Sequence, residues 1–90
     1  METERYKIYC LIRLNNENIL YVNSFHYYTD AFDYMTNDYN KIMRTTYFSR
    51  IRSNYSNDWK SEINLTDGRL NKWDIIESYV EIPKVKYLGN

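Results

Sequence analysis

The chain has 90 residues, with 12 Lys plus Arg balanced by 12 Asp plus Glu, so its formal net charge is zero. That length accommodates one core. A single Cys excludes an internal disulfide, and together with a single His it falls short of the ligands a Cys/His zinc cage needs. An apolar fraction of 43% is too high for a disordered chain. No apolar run approaches the roughly 20 residues of a membrane span, and the acidic start Met1-Glu2-Thr3-Glu4 is unlike a signal peptide. The expectation is one soluble domain over residues 1–90 in the cytoplasm, with no membrane contact.

In chain order, Arg5 to Leu14 alternates, with Tyr6, Ile8, Cys10, Ile12 and Leu14 on one side and Lys7, Tyr9, Leu11 and Arg13 on the other. This period of two reads as a strand whose first set is the core face, with Cys10 a buried small hydrophobe. Asn15 to Asn18 reads as a turn, because Asn tolerates positive φ, and Ile19 to Asn23 as the second strand of a hairpin. His26, between Phe25 and Tyr27 at the strand end, reads as structural or solvent-facing.

Phe32, Met35, Tyr39 and Ile42, with Ala31 and Met43 beside them, predict an amphipathic helix over about 30–44. Thr29 or Asp30 would cap it, and Lys41 and Arg44 suit its negative end. Residues 45–52 fit a helix continuation on the face Met43, Tyr47, Ile51, which is preferred, but Thr, Tyr, Phe and Ile also favour a strand. Ser53 to Asp58 has loop composition. Trp59 to Leu65 alternates, with Trp59, Ser61, Ile63 and Leu65 on one face, and Asp67-Gly68 then signals a hairpin. Residues 71–80 fit a helix capped by Asn71 through Trp73, Ile76 and Val80, but the preceding hairpin turn favours a strand that Pro83 ends. Residues 84–90 read as a flexible tail. The ββαββ-like order predicts a small α+β domain, an antiparallel sheet with one helix packed on one face.

Catalytic chemistry is sparse. Cys10 on a core face is a poor nucleophile, and the carboxylates show no EF-hand, zincin or paired spacing. Two glycines cannot build a phosphate-binding fingerprint. The expectation is a non-enzyme without cofactor or metal. Charge is unevenly placed: residues 1–40 carry −3, residues 41–60 carry +4 and residues 61–90 carry −1. The basic stretch, with Lys41, Arg44, Arg50, Arg52 and Lys60, is interleaved with Tyr47, Phe48, Tyr55 and Trp59. Charge and ring faces together suit a nucleotide or nucleic acid, although a nucleic-acid domain is ordinarily basic overall.

Tyrosine is in excess. Eleven Tyr and 11 Asn against one Ala and one Pro point partly to a low-GC genome, such as that of a phage or mobile element, but only 3 Phe accompany the 11 Tyr. Tyr6, Tyr21, Tyr39 and Tyr79 fit periodic positions and are expected in or beside the core. Tyr34, Tyr47 and Tyr55 are expected at a binding surface, since Tyr buries large area at low entropy cost. Tyr34, Lys41, Arg44, Tyr47, Arg50, Arg52, Tyr55 and Trp59 are therefore the candidate binding residues. The leading expectation is a small interaction protein of anti-defence type that binds and inhibits a host protein. The alternative is a nucleotide or nucleic-acid module on residues 41–60. A homodimer is compatible with either.

Overall fold

The computed structural model describes residues 2–83. Strands β1 (Thr3–Asn15) and β2 (Asn18–Phe25) form a hairpin, and helix α1 (Tyr28–Thr45) follows. A 3-10 turn, Phe48–Arg50, leads into β3 (Ile51–Ser56), β4 (Lys60–Leu65) and β5 (Leu70–Pro83). All pairings are antiparallel, in the order β2-β1-β5-β4-β3, so the last strand inserts beside the first. The sheet with one helix across a face matches the expectation. The strand count differs, because β3 occupies residues read as helix continuation and loop.

The turns explain the hairpins. Asn16 sits at φ 58 in a two-residue loop, the left-handed backbone that Asn tolerates best after Gly. Its backbone N–H and side-chain Oδ1 also bond the Leu70 backbone, at 2.7 and 3.0 Å, tying this turn to the start of β5. Between β4 and β5 the Gly68 N–H donates to the Leu65 carbonyl and the Leu65 N–H to the Arg69 carbonyl, with Gly68 at φ 92. That is a three-residue loop whose last position needs glycine.

Helix α1 starts two residues earlier than expected and uses no side-chain cap, so neither Thr29 nor Asp30 serves as one. Tyr28 anchors the start instead. Its ring meets Tyr9 and Trp59, and its hydroxyl donates to the Asp58 carbonyl. The helix stops at Thr45 rather than running to residue 52. Thr45 and Thr46 hydroxyls donate to the carbonyls of Lys41 and Ile42, satisfying groups a further turn would have used. β-branched Thr then gives way to extended backbone and the edge strand β3.

Ala31, Met35 and Tyr39 bury the expected helix stripe against Leu11, Ile63, Leu65, Trp73 and Ile75. Ser61, Ile63 and Leu65 alternate inward on β4 as expected, and residues 70–83 form the favoured strand. The face of β1 is the principal correction. Leu11 and Arg13 are buried under the helix with Tyr9 beside them, while Ile8, Cys10, Ile12 and Leu14 lie on the opposite face of the sheet. The buried set is the less apolar of the two, with Arg13 in it. Register decides between them, because Leu11 and Arg13 pair with Ile75 and Trp73, the β5 residues that pack on α1. Cys10 is accordingly half-buried beside the Ser24 hydroxyl, 3.7 Å away, and not in the core.

Beyond Tyr9 and Asp74, β1 and β5 continue without the flanking strands. Six residue pairs, from Thr3↔Pro83 to Ile8↔Ser78, form a two-stranded arm. Tyr6 and Tyr79 lie on this arm and are exposed, whereas Tyr39 is buried and Tyr21 half-buried, so only the latter two take core positions. The expected tail at 84–90 lies outside the described residues. No helix among the described residues is long and apolar enough to cross a membrane.

Candidate functional site

The eight candidate residues do not form one surface. Arg44 in the last helical turn, Tyr47 and Arg50 around the 3-10 turn, and Arg52 on β3 share one corner of the molecule. Tyr34 and Lys41 lie along the flank of α1, where with Asn37 and Asp38 they line a shallow depression. Tyr55 lies on the sheet face away from the helix, paired with Glu62 and with the Lys60 ammonium 5.8 Å from its ring. Trp59 sits at the helix N-terminal end, its ring 4.9 Å from Tyr28 and 6.5 Å from Tyr9. Segment 41–60 is contiguous in sequence, but β3 carries Tyr55 and Trp59 to the opposite end of the sheet.

The corner is well held. The Arg50 N–H donates to the Tyr47 carbonyl at 2.9 Å, and the Thr66 N–H donates to the Arg50 carbonyl at 2.9 Å. The Arg50 guanidinium lies 3.7 Å from Asp67, whose carboxyl is held below its ordinary pKa chiefly by the Arg69 backbone N–H. On this pinned turn Tyr47 is 79% exposed and Phe48 88% exposed. Lys41, Arg44 and Arg52 make no ion pair among the described residues. Two adjacent aromatic rings thus project from the corner that carries the uncompensated Arg44 and Arg52, with Lys41 apart on the helix flank. Phe48 was visible in sequence only as one ring interleaved with the basic stretch.

Beneath the flank depression lies a polar cluster that hydrophobic patterning does not disclose. Asp38 Oδ2 accepts from the Tyr21 hydroxyl at 2.7 Å and the Trp73 indole N–H at 2.9 Å, and lies 3.6 Å from Arg13 Nε. Arg13 stacks over Trp73 at 4.2 Å and donates to Asn71 Oδ1 at 2.9 Å and the Leu14 carbonyl at 2.6 Å. Burial lowers the Arg13 pKa despite the nearby Asp38 charge, and burial first, then the Asp38 hydrogen bond, raises that of Tyr21. The Tyr21 hydroxyl, the Trp73 indole and the Arg13 guanidinium all find partners in this cluster, which joins α1 to the sheet.

The sheet face opposite the helix carries a further apolar surface. On it Cys10 of β1 pairs with Ile76 of β5, Ile12 with Val22 and Leu14 with Ile19 of β2, while the β5 partners of Ile8, Ile12 and Leu14 are the polar Ser78, Asp74 and Lys72. Its signal in the sequence is the alternation of β1, whose apolar set Tyr6, Ile8, Cys10, Ile12 and Leu14 lies on this face and not in the core. Among the described residues, no three His, Cys, Asp or Glu side chains come together as a metal site. His26 is exposed, as expected of a solvent-facing residue. Compared with protein-family models, with curated proteins and with solved structures, the chain matches none of them, so its function is argued from this geometry.

Proposed function

We propose that the chain is a non-enzymatic interaction protein that docks the Tyr47–Phe48 corner on an acidic surface of another protein. The observation that carries this reading is the near-complete exposure of two adjacent rings on a turn pinned by backbone hydrogen bonds. Holding large apolar side chains exposed is unfavourable in isolation, and a rigid turn loses little entropy when a partner covers them. Arg44 and Arg52 supply the charge that steers an acidic partner and fixes its orientation. A low-GC phage or mobile element is the source that the composition favours, and a host protein inhibited by occlusion is the matching target.

The test compares affinity capture from a low-GC bacterial host by the wild-type chain, by Tyr47→Ala/Phe48→Ala and by Arg44→Glu/Arg52→Glu. The wild-type chain should retain a stoichiometric protein that both variants release, with unfolding midpoints unchanged. Capture that survives the aromatic pair of substitutions removes the proposal. The uncompensated Arg44 and Arg52 also favour a second reading, a phosphate-bearing nucleotide or nucleic acid at the same corner. That reading requires direct binding of nucleotide or oligonucleotide that weakens steeply with salt and is lost in Arg44→Glu/Arg52→Glu.

A further inference from the structure

We propose that the sheet face opposite α1 is the interface with a second copy of this chain, packed sheet against sheet. The two sides of the β1–β5 arm differ in kind. On the helix side, Arg5 faces Glu81 at 3.9 Å, Lys7 faces Glu77 at 2.8 Å, and Arg5 stacks on Tyr79 at 4.4 Å. That side is built for water. The other side presents Tyr6, Ile8, Val80 and Ile82, with Glu4 opposite Ile82 and Ser78 opposite Ile8, and leads to Ile12, Val22 and Ile76 on the body of the sheet.

A two-stranded ribbon is marginal in water without cover on one face, and no element of the described chain supplies that cover. Its charge and extent fit a second copy. At the β4 side the face carries Lys60, Glu62, Lys72 and Asp74, two of each sign, with Lys72 and Asp74 3.8 Å apart. Such a balanced set meets its own copy without net repulsion and offers an acidic or basic partner no advantage. Tyr6, Ile19, Val22, Ile76, Val80 and Ile82 are 37–62% exposed on this face, so covering them takes a broad, flat surface of the kind a second sheet provides. About a two-fold axis, each arm lies along the body of the other copy, which covers both arms at once.

Sedimentation velocity on the full chain tests this. The wild-type protein should be a dimer at tens of micromolar and dissociate on dilution. Val22 and Ile76 are already 53% and 48% exposed, so Val22→Glu and Ile76→Glu should keep the fold and weaken association by about a hundredfold or more. Cys10, at the centre of the face, provides a second readout that needs no variant: its alkylation should slow as wild-type concentration rises through the dimer range. A monomer with freely reactive Cys10 at every concentration assigns the face to a different protein and overturns the proposal. A monomer with Cys10 protected at every concentration assigns it to the chain's own residues 84–90 and also overturns it. A dimer unaffected by both charge substitutions overturns it as well. Tyr47→Ala/Phe48→Ala should remain dimeric, which separates this interface from the docking corner.

Discussion

The two faces of one sheet carry comparable apolar side chains and have opposite fates. On the helix side, Leu11, Ile63, Trp73 and Ile75 are closed off by α1, and the Arg13–Asp38 cluster fastens the helix down. On the far side, Ile12, Val22 and Ile76 have strands beside them but, among the described residues, no layer above. The difference teaches that alternation along a strand shows that two faces exist without showing which of them the fold encloses. A helix crossing the sheet covers one face only, and the choice is made by the groups on it that need partners. Trp73 has an indole N–H and Arg13 a guanidinium, and Asp38 on the helix serves both.

Neighbouring residues on β1 offer the strongest way to break this comparison. Leu11→Ala empties a fully buried position and should cost about 3 kcal/mol of unfolding free energy. Ile12→Ala, one residue on, should cost about 1 kcal/mol when measured at dilutions where the chain is monomeric. Equal costs in urea unfolding would mean that the two faces are enclosed alike.

The next effect tests the fastening. Asp38→Ala leaves the Arg13 charge and the Trp73 and Tyr21 donors without their shared acceptor, and should cost about 2–3 kcal/mol, tempered by the partial exposure of the Asp38 side chain. Asp38→Asn keeps an acceptor oxygen and should cost less. Identical losses in the two variants would show that the cluster contributes packing and not polar pairing.

The smallest effect is a pH dependence. Burial, followed by the hydrogen bond to Asp38, raises the Tyr21 pKa above its ordinary value of 10.0. The unfolded chain therefore gives up this proton at lower pH than the folded one. The contribution of Tyr21 is fully present below pH 10.0 and is lost as pH climbs towards the folded-state value. Tyr21→Phe should flatten the alkaline fall in unfolding free energy between neutral pH and the region above 10.0, and an unchanged slope would place Tyr21 outside the cluster.

Much of the architecture was legible. The helix stripe Phe32, Met35, Tyr39, Ile42 and the inward set Ser61, Ile63, Leu65 depend on local periodicity, and both hairpins rest on turn residues with a known backbone preference. Strand β3 was not legible, because an edge strand of Arg52, Ser53, Asn54, Tyr55 and Ser56 buries little and so leaves no pattern. The candidate surface was legible only in part. Exposure of Tyr34, Tyr47 and Tyr55 followed from their places off the apolar stripes, but their separation onto three surfaces depends on the path of β3.

The sequence by itself determined β1, β2, the helix and β4, and where the β1–β2 and β4–β5 hairpins turn, since periodicity, glycine and asparagine act over a few residues. Tertiary structure alone decided which side of β1 became the inside, and with it the open apolar face and the bare arm. That decision depends on Asp38 meeting Trp73, 35 residues further along the chain, and on the β1–β5 register that brings Arg13 beside them. No local pattern records a contact made at that distance.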